Sequence, residues 1–307
     1  MASLQTYSDQ VRLLVDVLPV VARQRCFALK GGTALNLFLR NMPRLSVDID
    51  LAYLPVSDRE TSLKDIDTSL RVIASDIGKT FPNAHVVSAT TPGTEQWIKL
   101  VVQRGNASIK IEVTPVLRGS VFESEWRETT SDVQAEYGYV RMQLLSFEDL
   151  YAGKLCAALD RQHPRDLFDV RLLLQEEGIT ERMKDAFLVY VLSHPRPMSE
   201  LLAPRPKEIR QIYQNEFVGM TREMVPLEEL LEVRETMTRQ LHALMSVEDR
   251  EFLLSVKRGD ANWQDFAIPH AVNLPAVRWK LHNLAQMHAA KRSEALRRLE
   301  AVLFPAS

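Results

Sequence analysis

The amino-acid sequence predicts an α/β domain built on a mixed sheet over residues 1–145, followed by an all-α domain over residues 146–307. Three observations carry this prediction. Strand-like and helix-like periodicities alternate through the first part. Helical periodicity alone follows from Ser146 onward. With 46% apolar and 25% charged residues, the 307-residue chain can bury a core in each part.

Residues 9–24 place Val11, Leu14, Val15 and Leu18 at helical spacing. The short apolar run Cys26–Leu29 then meets Gly31-Gly32. That reads as a strand, a tight turn and a new helix through Ala34, Leu35, Leu37 and Phe38. Val47–Tyr53 reads as a second strand and residues 59–80 as a helix. Further strands are expected at His85–Ala89, Trp97–Gln103, Ser108–Val116 and Tyr139–Leu145. Ser146-Phe147-Glu148-Asp149 has capping-box spacing and opens the helical part. Breaks are expected near Pro195–Pro206, Pro226, Gly259 and Pro269–Pro275.

Composition excludes several function classes. Thirty-eight basic against 40 acidic residues give a formal net charge of −2, which argues against a nucleic-acid binder driven by bulk charge. The two cysteines, Cys26 and Cys156, lie far apart, with no C-x-x-C or H-E-x-x-H motif. A disulfide scaffold and a standard zinc site are therefore not expected, and a reducing cytoplasm is. Arg12 and Asp16 interrupt the N-terminal apolar run, so no signal-peptide core is expected there. No apolar stretch reaches the roughly 18 residues of a membrane span, so no membrane partner is expected.

The chemistry concentrates in Lys30-Gly31-Gly32-Thr33-Ala34-Leu35 and in Arg44-Leu45-Ser46-Val47-Asp48-Ile49-Asp50-Leu51. Residues two apart on a strand share a face, so Asp48 and Asp50 point one way while Val47, Ile49 and Leu51 point into the core. Neighbouring carboxylates repel each other. A divalent cation between them removes the penalty, and oxygen ligands suit Mg²⁺, or Mn²⁺ in its place. A strand ending at Gly31-Gly32 leaves N–H groups at a positive helix end, which suits phosphate. The Thr33 hydroxyl can add a donor, Ser46 lies beside the pair, and the planar fork of Arg44 can clamp phosphate oxygens. Metal-binding carboxylates next to a phosphate-binding turn are the equipment of phosphoryl or nucleotidyl transfer. The alternative is that Asp48 and Asp50 form the solvated face of an edge strand.

A second block runs Asp149-Leu150-Tyr151-Ala152-Gly153-Lys154, then Arg165-Asp166-Leu167-Phe168-Asp169. On a helix, Lys154 falls inside the apolar arc of Phe147, Leu150, Tyr151, Leu155 and Ala158, where a lysine needs an anionic partner. Asp166 and Asp169 lie among Leu167, Phe168, Val170 and Leu173. Two inward acids and one inward lysine make either a structural ion-pair cluster or an active-site wall. Glu112 alternates outward with Lys110 on its strand and is a candidate third metal carboxylate, or an ordinary solvent-facing residue. Gly78-Lys79-Thr80 looks like the end of a P-loop, but Ile73 stands where that motif needs glycine.

The pattern GGTAL followed by R-x-S-x-D-I-D-L resembles the nucleotidyltransferase superfamily and, more closely, the AbiEii/AbiGii toxins of type IV toxin–antitoxin systems. The resemblance implies a nucleotidyltransferase fold, a nucleoside triphosphate substrate and an active-site cleft completed by the helical domain. It implies Asp48 and Asp50 as metal ligands, and phosphate contacts from Gly31, Gly32, Thr33, Arg44, Ser46 and Lys154. Asp169 would position or activate the acceptor, and Arg165 and Asp166 would brace the pair. It further implies transfer to an RNA, the 3′ end of tRNA, which blocks translation, and a cognate antitoxin protein. In some relatives the serine matching Ser46 is a phosphorylation target.

Two other functions stay open at this point: a nucleotidyltransferase modifying a protein or a small molecule, and a non-catalytic binding module on the same fold. The segment 278–298 carries Arg278, Lys280, Lys291, Arg292, Arg297 and Arg298 against Glu294. That reads either as a solvated helix or as a face that tracks an RNA backbone. Trp279, Leu281, Leu284 and Met287 read as core.

Overall fold

A computed structural model describes residues 4–90 and 95–305. Its contacts divide the chain into two units, Met1–Ser146 and Phe147–Ser307. In the first unit, β1 (Phe27–Lys30), β2 (Asp48–Tyr53), β3 (Ala84–Thr90), β4 (Trp97–Arg104), β5 (Ala107–Arg118), β6 (Glu125–Glu128) and β7 (Arg141–Leu144) form one sheet. Its strand order is β3-β4-β5-β2-β1-β7-β6. The sheet is mixed: β2 pairs parallel with β5 and antiparallel with β1, and β1 pairs parallel with β7.

Helices α1 (Leu4–Val21), α2 (Gly31–Phe38), α3 (Arg59–Thr80) and α4 (Ser131–Tyr137) complete this unit. Leu63, Ile66, Leu70, Ile73 and Ile77 recur every three or four residues along α3 and are all buried. Asp58 caps that helix by accepting from the Thr61 amide at 2.9 Å. Gly78, Lys79 and Thr80 close the last turn of α3, and Lys79 pairs with Asp76 at 3.6 Å, so no P-loop forms there. β6 and α4 have no counterpart in the sequence reading. β6 is a four-residue edge strand without an alternating buried face, and α4 buries only Val133, so neither carries a periodic apolar signal.

The second unit is helical among its described residues. It contains α5 (Phe147–Arg161), α6 (Pro164–Glu176), α7 (Glu181–Ser193), α8 (Met198–Leu202), α9 (Arg210–Glu216), α10 (Leu227–Leu244), α11 (Val247–Arg258), α12 (Pro275–Ala285) and α13 (Ala289–Leu303). The local signals are strong. Pro164 opens α6, and Ser246 with Asp249 makes a reciprocal capping box on α11. Gly259 closes α11 in the left-handed region at φ +94°. The α/β class expected from the sequence is the one observed. Among the described residues no helix is long and apolar enough to cross a membrane.

Candidate active site

β2 is the fourth of seven strands, so the edge-strand alternative for Asp48 and Asp50 does not hold. Ile49 and Leu51 are wholly buried on one face, and the two aspartates are half-buried on the other. A row of charged residues crosses the sheet on the aspartate face. Lys30 of β1 lies opposite Asp50, Asp50 opposite Glu112 of β5, and Glu112 opposite Lys99 of β4. Asp48 lies opposite Lys110 in the same parallel ladder.

Glu112 therefore shares a face with both aspartates, one strand away. Its carboxylate pairs with Lys99 Nζ at 3.2 Å and is half exposed. Among the described residues no three His, Cys, Asp or Glu side chains come together as a metal site. Glu112 is thus not gathered with the aspartates into a group of three among the described residues. Asp48 and Asp50 alone still fit Mg²⁺. That ion keeps several waters and takes one or two carboxylates, with substrate phosphates filling the rest of its shell.

The glycine turn is built around these carboxylates. α2 begins directly at Gly31, whose φ is +76°. A Cβ on Gly31 would lie 2.5 Å from Asp50 Oδ2, and one on Gly32 would lie 2.7 Å from Arg44 Nη2 and 2.8 Å from Ser46 Oγ. A side chain at either position would have to displace these groups, and at Gly31 it would also be strained by the positive φ. The Thr33 hydroxyl donates to the backbone oxygen of Asp48 at 2.5 Å and sits 3.1 Å from Ser46 Oγ.

Thr33 is fully buried, so it serves as a tie between α2 and the head of β2 and not as an open phosphate donor. Arg44 is also buried, and its Nη1 donates to Leu45 O at 2.9 Å. Its guanidinium thus holds the connecting loop against Gly32. Asn36, which the sequence reading missed, completes the tie. Its Nδ2 donates to Gly32 O at 2.7 Å and its Oδ1 accepts from the Arg44 amide at 3.3 Å. The available signal was an asparagine inside the apolar run Ala34–Phe38.

In the helical unit, Lys154 Nζ lies 3.0 Å from Asp166 Oδ1 and 2.8 Å from Asp169 Oδ2. All three side chains are buried. The sequence-predicted lysine and its two acids are thus brought together as an ion-pair cluster. Burial alone would raise the Asp166 carboxyl, but Lys154 and Arg161 outweigh it and hold that group well below the usual carboxylate range.

Arg161 reaches Asp166 through Nε at 2.5 Å and Nη2 at 2.9 Å. It does the bracing expected of Arg165, which instead lies 3.6 Å from Glu216. Arg161 ends α5 and Arg165 follows the Pro164 turn, so their roles depend on how that turn bends. Gly153 has its own reason: a Cβ there would meet Tyr190 Cε1 at 3.2 Å. The Tyr190 hydroxyl in turn donates to Asp149 Oδ1 at 3.1 Å, which accounts for the acid at the head of this block.

A family model for the nucleotidyl transferase AbiEii toxin of type IV toxin–antitoxin systems matches residues 12–283. No curated protein matches the chain significantly. Among solved structures the chain is similar to the nucleotidyltransferase toxin MenT4 of Mycobacterium tuberculosis. The TM-score is 0.61 at 16% identity, over 95% of this chain and 93% of that one. At that identity the likeness speaks for the fold.

Two outcomes test this geometry. Gly31→Ala should lower stability in urea by more than about 1 kcal/mol, and by more than Gly105→Ala. Gly105 has a similar backbone at φ +59° but nothing within reach of a Cβ. Equal losses would mean that the Asp50 contact does not constrain the turn. Lys154→Met should cost about 3–5 kcal/mol near neutral pH, because two buried acids lose their shared cation. The folded Asp166 carboxyl is depressed, so its stabilisation is present above the unfolded value near 4 and is lost as pH falls below it. The gap between wild type and variant should therefore shrink in acid. A gap independent of pH would contradict an electrostatic role.

Proposed function

Because the chain belongs to the AbiEii family of nucleotidyltransferase toxins, from type IV toxin–antitoxin systems, we propose that it transfers a nucleotidyl group from a nucleoside triphosphate to the 3′ end of tRNA and so stops translation. One observation carries the reading. Two carboxylates share a face of an interior strand, and a glycine turn closes on one of them. A binding module would have no need to place acids there.

In such a transfer the acceptor hydroxyl oxygen attacks the α-phosphorus, a new P–O bond forms, and the bond to pyrophosphate breaks. Asp48 and Asp50 would hold Mg²⁺, or Mn²⁺, which when bound supplies positive charge at the attacked phosphate. Thr33 fixes the backbone of Asp48, so the carboxylate is set before substrate arrives. The first N–H groups of α2, at Gly31 and Gly32, have no partner within the helix and suit the β- and γ-phosphates. Arg44 and Ser46 keep that turn in shape from behind.

Lys154 and Asp169 belong to the same reading. Exchanging Asp169 for a phosphate oxygen leaves the Lys154 ammonium with an anionic partner and lets an Asp169 oxygen take the acceptor's proton. On this reading the protein acts in the cytoplasm, where tRNA is charged, and is held in check by a cognate antitoxin protein.

The test is to incubate the full chain with Mg²⁺, total tRNA and each α-labelled nucleoside triphosphate in turn, beside Asp48→Ala. The expected result is label on tRNA that disappears in the variant. Label on a protein or a small molecule, with none on RNA, would replace the acceptor. Label that persists in Asp48→Ala would sink the metal-carboxylate reading.

A further inference from the structure

The predicted basic face of α12 and α13 is divided in the folded chain. Arg278, Arg297 and Arg298 are exposed, whereas Lys280 and Arg292 turn inward. Lys280 Nζ donates to the backbone oxygens of His194 at 2.5 Å and Arg196 at 2.6 Å, at the end of α7. Arg292 donates through Nη2 to Leu284 O at 2.5 Å, at the end of α12, and through Nη1 to Arg258 O at 3.4 Å, at the end of α11. Its Nε is buried without a hydrogen-bond partner.

Lys257, in the last turn of α11, is only 6% exposed and has no hydrogen-bond or ion-pair partner among the described residues. Burial, and after it the positive charges of Arg292 and Lys291, hold its ammonium below the ordinary lysine value. Burial and Lys257 likewise pull Lys280 down to about 8.

Positive side chains at helix ends have an ordinary explanation, since they complement the helix dipole. That explanation is too small here. Three helix ends contribute about −0.5 each, about half of what the three inward cations Lys257, Lys280 and Arg292 bring. None of the three pairs with a carboxylate among the described residues. Beside Arg292 opens a pocket of about 430 Å³, lined by Arg258, Met287, Ala289, Arg292, Ser293 and Leu296. A buried lysine without a partner, next to a guanidinium whose Nε is buried without one, calls for an anion.

We propose that the junction of α11, α12 and α13, where Arg292 reaches the end of α11 beside the buried Lys257, binds a phosphate group. The phosphate comes either from an RNA backbone or from a free phosphate species; the first source rests on the RNA acceptor proposed above, and the site itself does not. Trp279 stands close by in sequence. It is 60% exposed and stacked on His282 at 5.6 Å, where it can take a base beside a bound backbone phosphate.

The experiment compares full-length wild type with Lys257→Met. Without phosphate, the variant should melt at or above wild type, because it removes a buried unpaired charge. Adding millimolar inorganic phosphate at constant ionic strength should raise the wild-type melting temperature by a few degrees more than that of the variant.

Total tRNA binding, measured by fluorescence anisotropy, separates the sources. A loss of about tenfold in Lys257→Met, with a shallower salt dependence, assigns the phosphate to RNA. Unchanged tRNA binding with a lost phosphate response assigns it to a free species. Equal phosphate responses in both proteins, or a variant that melts lower without phosphate, would overturn the site. Because melting needs no acceptor, a failure to label tRNA would leave this result standing.

Discussion

The Asp50 carboxylate lies against Gly31 more closely than any Cβ would permit, and the candidate active site is arranged around that contact. It needs a glycine with positive φ at the first residue of α2. It also needs β2 and β1 to be antiparallel neighbours, so that Asp50 stands opposite Lys30, the last residue before the turn. The loop from α2 to β2 must then return to the same place. Thr33, Asn36, Arg44 and Ser46 hold it there through short-range hydrogen bonds. These residues have the composition of a phosphate grip. Their contacts tie the loop to α2 and to the head of β2.

The helical unit solves a different electrostatic problem. Lys154, Asp166 and Asp169 are buried together, and Arg161 makes the charge count even. Removing two acids and a lysine from water is costly, and mutual pairing recovers the loss only when geometry and hydrogen bonding are good. Such a cluster fixes the packing of α5 against α6, since its members lie on both helices. Lys257 is the contrasting case. It is buried as deeply as Lys154, yet no acid pairs with it among the described residues.

Much of this was legible in the sequence, for local reasons. Alternation by two placed Asp48 and Asp50 on one face, and Gly31-Gly32 marked the turn, because both signals lie within a few residues. Helical periodicity placed Lys154, Asp166 and Asp169 inward for the same reason. What was not legible depends on distant pairing. Glu112 shares the aspartate face through the β2–β5 ladder, but its tie to Lys99 depends on β4. Arg161 in place of Arg165 depends on the bend at Pro164. Trp279 was read as core, whereas Ala276, Val277 and Leu284 form the buried side of α12 and leave it outside. A short helix with a mixed pattern offers several buried arcs, and packing chooses among them.

The central claim is that the charge on Asp50, and not merely its shape, makes the turn chemically active. The direct measurement is single-turnover nucleotidyl transfer by Asp50→Asn, with its thermal melt recorded alongside. An amide keeps the size of the carboxylate but neither binds a divalent cation as well nor accepts a proton. The account predicts a melt close to wild type and a transfer rate lower by about a hundredfold or more. Transfer at the wild-type rate from the folded variant would contradict it.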